Sequence, residues 1–136
     1  RREGHPIGVG LADIDHFKAV NDHYGHAVGD EVLRTFARQA PQALRGTDVL
    51  ARWGGEEFVV LLPETALSAA RIGVERLRGR IAATPMAHLS GVPIRVTVSA
   101  GVAEHIAGES VAQIVERTDR ALYDAKAQGR NRTVAA

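Results

Sequence analysis

The sequence predicts an α+β fold, with helices laid over a mainly antiparallel sheet. Three observations carry that expectation. Apolar runs of strand length and segments of helical period follow one another as β-α-α-β-β-α-β-α-β. Two of the apolar runs, Val49-Leu50-Ala51-Arg52-Trp53 and Val59-Val60-Leu61-Leu62, flank Gly54-Gly55-Glu56-Glu57-Phe58, the pattern of a hairpin closed by a tight acidic turn. No repeat, linker or low-complexity stretch interrupts the chain, so its 136 residues read as one domain, 1–136.

Each element has its own signal. Ile7 to Ile14 is apolar apart from Gly8, Gly10 and Asp13, a buried strand. His16 to His23 is a short helical piece, with Asp15 as its N-cap, and Gly25 and Gly29 bracket a break. From Asp30 to Leu44, Val32, Leu33, Phe36, Ala37, Ala40 and Leu44 recur with a helical period. The hairpin follows and Pro63 closes it. Thr65 is the expected N-cap of a helix to Ile81 whose inner face is Leu67, Ala70, Ile72, Val74, Leu77 and Ile81. Pro85 to Pro93 reads as a connection. Ile94 to Ala103 alternates as a strand, Ser110 opens a last helix to Gln128, Gly129 is its C-terminal cap candidate, and Thr133-Val134 is a short final strand.

Composition removes several classes of function. Apolar residues make up 45% of the chain, enough for a core of its own. Lys plus Arg number 17 against 16 Asp plus Glu, a net charge of +1, which argues against general binding to nucleic acid or a membrane surface. With no cysteine, disulfides and thiolate metal sites are excluded, and a cytoplasmic location is the expectation. No apolar run approaches the roughly 20 residues of a membrane span. The chain opens at Arg1 without Met, and is expected to be a domain of a longer signalling protein, cut at its N-terminal side.

The chemistry concentrates in two segments. Gly8-Val9-Gly10 is not a dinucleotide fingerprint, because Asp13 stands where the third glycine belongs and the glycines lie within a strand. Asp13 ends an apolar strand, an expensive place for a carboxylate without a partner. If that strand lies beside the hairpin, Asp13 faces the Glu56 turn. Hard oxygen ligands so placed describe a Mg²⁺ site that leaves room for substrate phosphates, while Gly54 and Gly55 let backbone approach a ligand closely.

At this point the chain resembles the catalytic domain of the GGDEF family, the diguanylate cyclases. The signature is Arg52-Trp53-Gly54-Gly55-Glu56-Glu57-Phe58. It is supported by Asp13-Ile14-Asp15-His16-Phe17-Lys18, by the stretch from Asn21 to Asp30, and by Ala125-Lys126-Ala127-Gln128-Gly129-Arg130-Asn131, in the family's order. Glutamate at the third signature position, where the family name has aspartate, keeps the carboxylate.

The resemblance implies a fold like the palm of nucleotide cyclases and polymerases. It also implies a nucleotidyltransferase reaction: two GTP condense into cyclic di-GMP with release of two pyrophosphates across a homodimer. Asp13, Glu56 and the backbone carbonyl of Ile14 are implied ligands of two Mg²⁺ ions per site, for which Mn²⁺ can substitute. Glu56 is also the implied proton acceptor, with Glu57 beside it as a catalytic and metal-binding candidate. Asn21 and Asp30 match base-contacting positions; guanine offers donors at N1 and N2 that adenine lacks, and an amide and a carboxylate accept them. His26 lies in the same block. Lys18, Lys126 and Arg130 match phosphate-contacting positions. Arg45 and Asp48 form the R-x-x-D of an inhibitory product site, with Arg76 as a third contact and Arg71 behind it. The D-x-L-T-x-L-x-N-R segment that many members carry before the first strand lies outside this sequence. Regulation by a sensor domain is expected. The alternative is a catalytically silent GGDEF-like module that binds cyclic di-GMP or GTP.

Overall fold

The computed structural model describes residues 4–136. Its strands are β1 (Ile7–Ile14), β2 (Val49–Gly54), β3 (Glu57–Pro63), β4 (Ala87–Leu89), β5 (Val92–Ile94), β6 (Val98–Glu104) and β7 (Thr133–Ala135). Its helices are α1 (Phe17–Tyr24), α2 (His26–Gln39), α3 (Leu67–Ala83) and α4 (Val111–Ala127), with a 3-10 turn over Ala40–Ala43. Five strands form the main sheet in the order β2-β3-β1-β6-β7, with β4 and β5 apart as a hairpin. All pairs are antiparallel except β6 with β7. The fold class is the expected one.

β1 runs through the centre with its two faces in different layers. Ala12 and Ile14 join the large core under α2 and α3, which includes Phe36, Val60, Val74 and Val98. Val9 packs the other way, with Ala103 and Ile114 of α4. The glycines dismissed as a fingerprint have a packing role. A Cβ at Gly8 would lie 2.7 Å from the Ala70 Cβ, and one at Gly10 would lie 3.0 Å from Val74. They let α3 approach the sheet closely.

Several element boundaries differ from expectation. The second helix starts at His26, so Asp30 lies in its second turn. The α3 cap is Ala66, not Thr65; Glu104 Oε1 accepts from the Leu67 N–H at 2.8 Å, while the Thr65 hydroxyl donates to the Pro63 carbonyl at 2.8 Å. Ile72, expected inward, is 60% exposed on α3. The connection from Pro85 to Pro93 contains β4 and β5, and the expected strand Ile94 to Ala103 is divided: β5 ends at Ile94 and β6 begins at Val98. Ser110 does cap α4, in a capping box with Gln113. Gly129 follows the helix with φ 123°, a conformation glycine adopts without strain.

Candidate active site

The register of the sheet brings the two acidic segments together. Asp13 is opposite Glu57 in the β1–β3 pairing, and the Ile14 N–H donates to the Glu56 carbonyl at 3.2 Å. Gly54 pairs with Glu57, leaving Gly55 and Glu56 as the loop. Gly55 has φ 50°, and its carbonyl accepts from Arg52 Nε at 2.8 Å, which anchors the turn to its own strand. The Ile14 side chain is in the core, so its backbone is what it offers this corner.

The carboxylates crowd one another. Asp13 is 7% exposed, and Lys126 Nζ of α4 lies 2.5 Å from its Oδ2. Burial pushes the Asp13 carboxyl above its ordinary range; Lys126 pulls the other way, and the charges of Glu56 and Asp15 add to the rise. Glu57 is raised by burial and then by Asp13, with Asp119 and Glu56 contributing against Lys126. Among the described residues, no group of three or more His, Cys, Asp or Glu is arranged so that it could hold a metal ion by itself. The carboxylates are nonetheless hard oxygen donors that repel one another, a donor type that suits a hard divalent cation completing its shell with ligands from outside the protein.

A second group lies across the α1–α2 corner. A Cβ at buried Gly29 would lie 1.8 Å from Asn21 Oδ1, so only glycine admits the Asn21 amide there, one residue from Asp30. Lys18, His26 and Asp30 are exposed. Lys126 is in the last turn of α4, and Arg130 follows at φ 64°.

Arg45 and Asp48 lie elsewhere. Arg45 Nη2 is 3.1 Å from Asp48 Oδ1 and donates to the Pro63 carbonyl at 3.0 Å, and it also binds the Thr65 hydroxyl. With Arg76 and exposed Ile72 they line a cavity of about 200 Å³. Arg71 is not part of that lining; it borders a neighbouring groove with Arg76. Pro63 is opposite Ile7 at the start of β1, whereas Asp13 is at its end, so about 20 Å of strand separates the two sites.

Asp15 was expected to cap α1. Instead His16, at φ 58°, holds that position, and Asp15 is 5% exposed. Its carboxylate accepts from Ser99 Oγ at 2.6 Å, Thr97 Oγ1 at 2.7 Å and the Asn131 N–H at 3.1 Å. Sequence reasoning also passed over Arg52 as a turn anchor and Asp119 as a neighbour of Glu57. The spacing of Asp119 seven residues before Lys126 was the available signal, since it puts both on one helix face.

The model of the family described as diguanylate cyclase, GGDEF domain, matches residues 1–132. This chain belongs to the GGDEF family. It is 48% identical over 131 residues to the diguanylate cyclase DgcP of Pseudomonas aeruginosa, covering 96% of this chain and 19% of that protein. Among solved structures, the diguanylate cyclase SiaD of Pseudomonas aeruginosa, in complex with its activator SiaC, matches with a TM-score of 0.95 at 43% identity, covering 100% of this chain and 52% of that one. The GGDEF domain of DgcB from Caulobacter crescentus, in complex with c-di-GMP, matches with a TM-score of 0.90 at 38% identity, over 97% of this chain and 78% of that one. The chain spans well under half the length of the curated relatives it matches. The GGDEF signature itself is the β2–β3 turn.

Proposed function

We propose that residues 1–136 form one GGDEF domain acting as a diguanylate cyclase, which joins two GTP into cyclic di-GMP and releases two pyrophosphates. The observation that carries this reading is that Asp13, Glu56 and Glu57 lie within electrostatic reach of one another, with Lys126 paired to Asp13, in a chain of this family. Asp13, Glu56 and the Ile14 carbonyl are the proposed holders of Mg²⁺, two per site, with Glu57 as a further ligand and Mn²⁺ as a substitute. Bound there, the metal supplies a lowered pKa for the attacking hydroxyl and neutralises charge on the phosphate oxygens.

The chain's own residues do the rest. Asn21 and Asp30 accept from the guanine N1–H and N2–H₂, with Gly29 giving the amide its place. Lys18, Lys126 and Arg130 balance the triphosphate. Each 3′-oxygen bonds to the α-phosphorus of the other nucleotide, the bond from that phosphorus to the β-phosphate bridging oxygen breaks, pyrophosphate leaves, and Glu56 accepts the hydroxyl proton. One chain holds one GTP, so a homodimer must bring two such sites face to face.

Arg45, Asp48 and Arg76 are the proposed product site, an assignment supported by their shared cavity. Its distance from Asp13 supports inhibition that acts by holding two domains apart rather than by blocking the catalytic site of the same domain. The complexes of SiaD with an activator and of DgcB with c-di-GMP support regulation by a partner and by product.

Incubation with GTP and Mg²⁺, followed by chromatography of the nucleotides, tests the reading. Cyclic di-GMP should appear, and Glu56→Gln should lower turnover by about 10³-fold while GTP still binds. GTP binding without product, even at high protein concentration, would instead favour the silent module.

A further inference from the structure

Resting on the cyclase reading, we infer that Asp15 and Arg78 are positioning residues that set the phosphate-facing cation Arg130, by clamping the backbone turn that follows α4. That turn is unusual. Gly129, Arg130 and Asn131 have φ of 123°, 64° and 48°, three consecutive residues on the left-handed side, two of them with side chains. Such a run persists only where surrounding contacts fix it, and strain of this kind collects where a site needs a preset geometry.

The contacts that fix it come from two directions. The buried Asp15 carboxylate accepts the Asn131 N–H at 3.1 Å. The same oxygen takes the Thr97 hydroxyl and the other takes Ser99, so the carboxylate is itself held against β6 and the segment leading into it. From the far side, Arg78 Nη1 of α3 donates to Asn131 Oδ1 at 2.6 Å. The Arg130 N–H donates to the Ala125 carbonyl at 2.9 Å, which ties the turn back to the helix that carries Lys126. Asp15 stands two residues from Asp13. One short stretch of chain thus contributes a carboxylate to the acidic cluster and a second that fixes the turn carrying Arg130. Through this link the acids and the cations keep one spacing, which a triphosphate bridging them requires.

Calorimetry with GTP and with GMP, in Ca²⁺ to slow turnover, tests this. Arg78→Met is the primary variant, since it leaves the buried hydroxyls paired. It should weaken GTP about tenfold and leave GMP nearly unchanged, because GMP lacks the β- and γ-phosphates. Asp15→Ala should act in the same direction if it folds. Asp15→Asn should restore binding, as its amide oxygen can accept from Asn131 while its NH₂ meets Ser99. In an Arg130→Ala background, Arg78→Met should have little further effect. Additive losses, or equal weakening of GTP and GMP, would overturn the inference and leave the cyclase reading standing. If the unsubstituted protein bound no GTP at all, both would fall.

Discussion

Burial and the charges of Glu56 and Asp15 push the Asp13 carboxyl up, and burial with Asp13 does the same to Glu57. Both groups hold protons more readily in the folded chain than in the unfolded one. Between the ordinary carboxylate range near pH 4 and their raised values, the folded state therefore binds more protons, and stability falls as pH rises through that window. Asp13→Asn or Glu57→Gln should then raise Tm at pH 7 in divalent-free buffer, with the gain vanishing below about pH 4, as thermal unfolding across pH will reveal. Mg²⁺ should raise the Tm of the unsubstituted chain more than that of either variant. The identities of these acids were legible because an acid at the end of an apolar strand and two at a glycine turn each break the local pattern. The role of Asp15 was not, since an Asp before a helix looks like a cap until its hydroxyl partners arrive from Thr97 and Ser99, more than eighty residues away.

Among the elements, α4 couples the site to the sheet, and its closeness to β6 depends on one residue. A Cβ at Gly101 would lie 2.4 Å from both the Leu122 N and the Thr118 O, backbone atoms that cannot swing aside. Gly101→Ala should cost about 3 kcal/mol or more, measured by urea unfolding, and lower activity by displacing Lys126 from Asp13. The β4–β5 hairpin shows how element signals can be misread. Pro85 and Pro93 looked like loop punctuation, but Ser90-Gly91, with φ of 51° and 79°, form a two-residue turn of the hairpin kind, and Pro93 sits in a strand with a free edge, where a missing N–H costs little. The α1–α2 break was read in the right place but at the wrong width, because Gly29 serves close packing against Asn21 rather than a helix end.

On the scale of the whole molecule, the proposed catalytic and product sites lie at opposite ends of β1, and the proposed reaction needs two chains to meet. Specific activity should therefore rise with protein concentration. Arg76→Ala should raise the cyclic di-GMP concentration needed for half-inhibition about tenfold and leave the initial rate unchanged, in an assay with added product. Arg76 suits this test better than Arg45, whose guanidinium also braces the Pro63 carbonyl and Asp48. The amino-acid order alone determined the fold class and the acidic hairpin, because periodicity and turn chemistry are local properties of a chain, while the other proposed site residues entered through the resemblance to the GGDEF family. Only the tertiary structure decided which residues face one another. The β1–β3 register set Asp13 against Glu57, the approach of α4 set Lys126 against Asp13, and the strained turn beyond it closed on Asp15. Those pairings join segments far apart in sequence, and no local pattern encodes them.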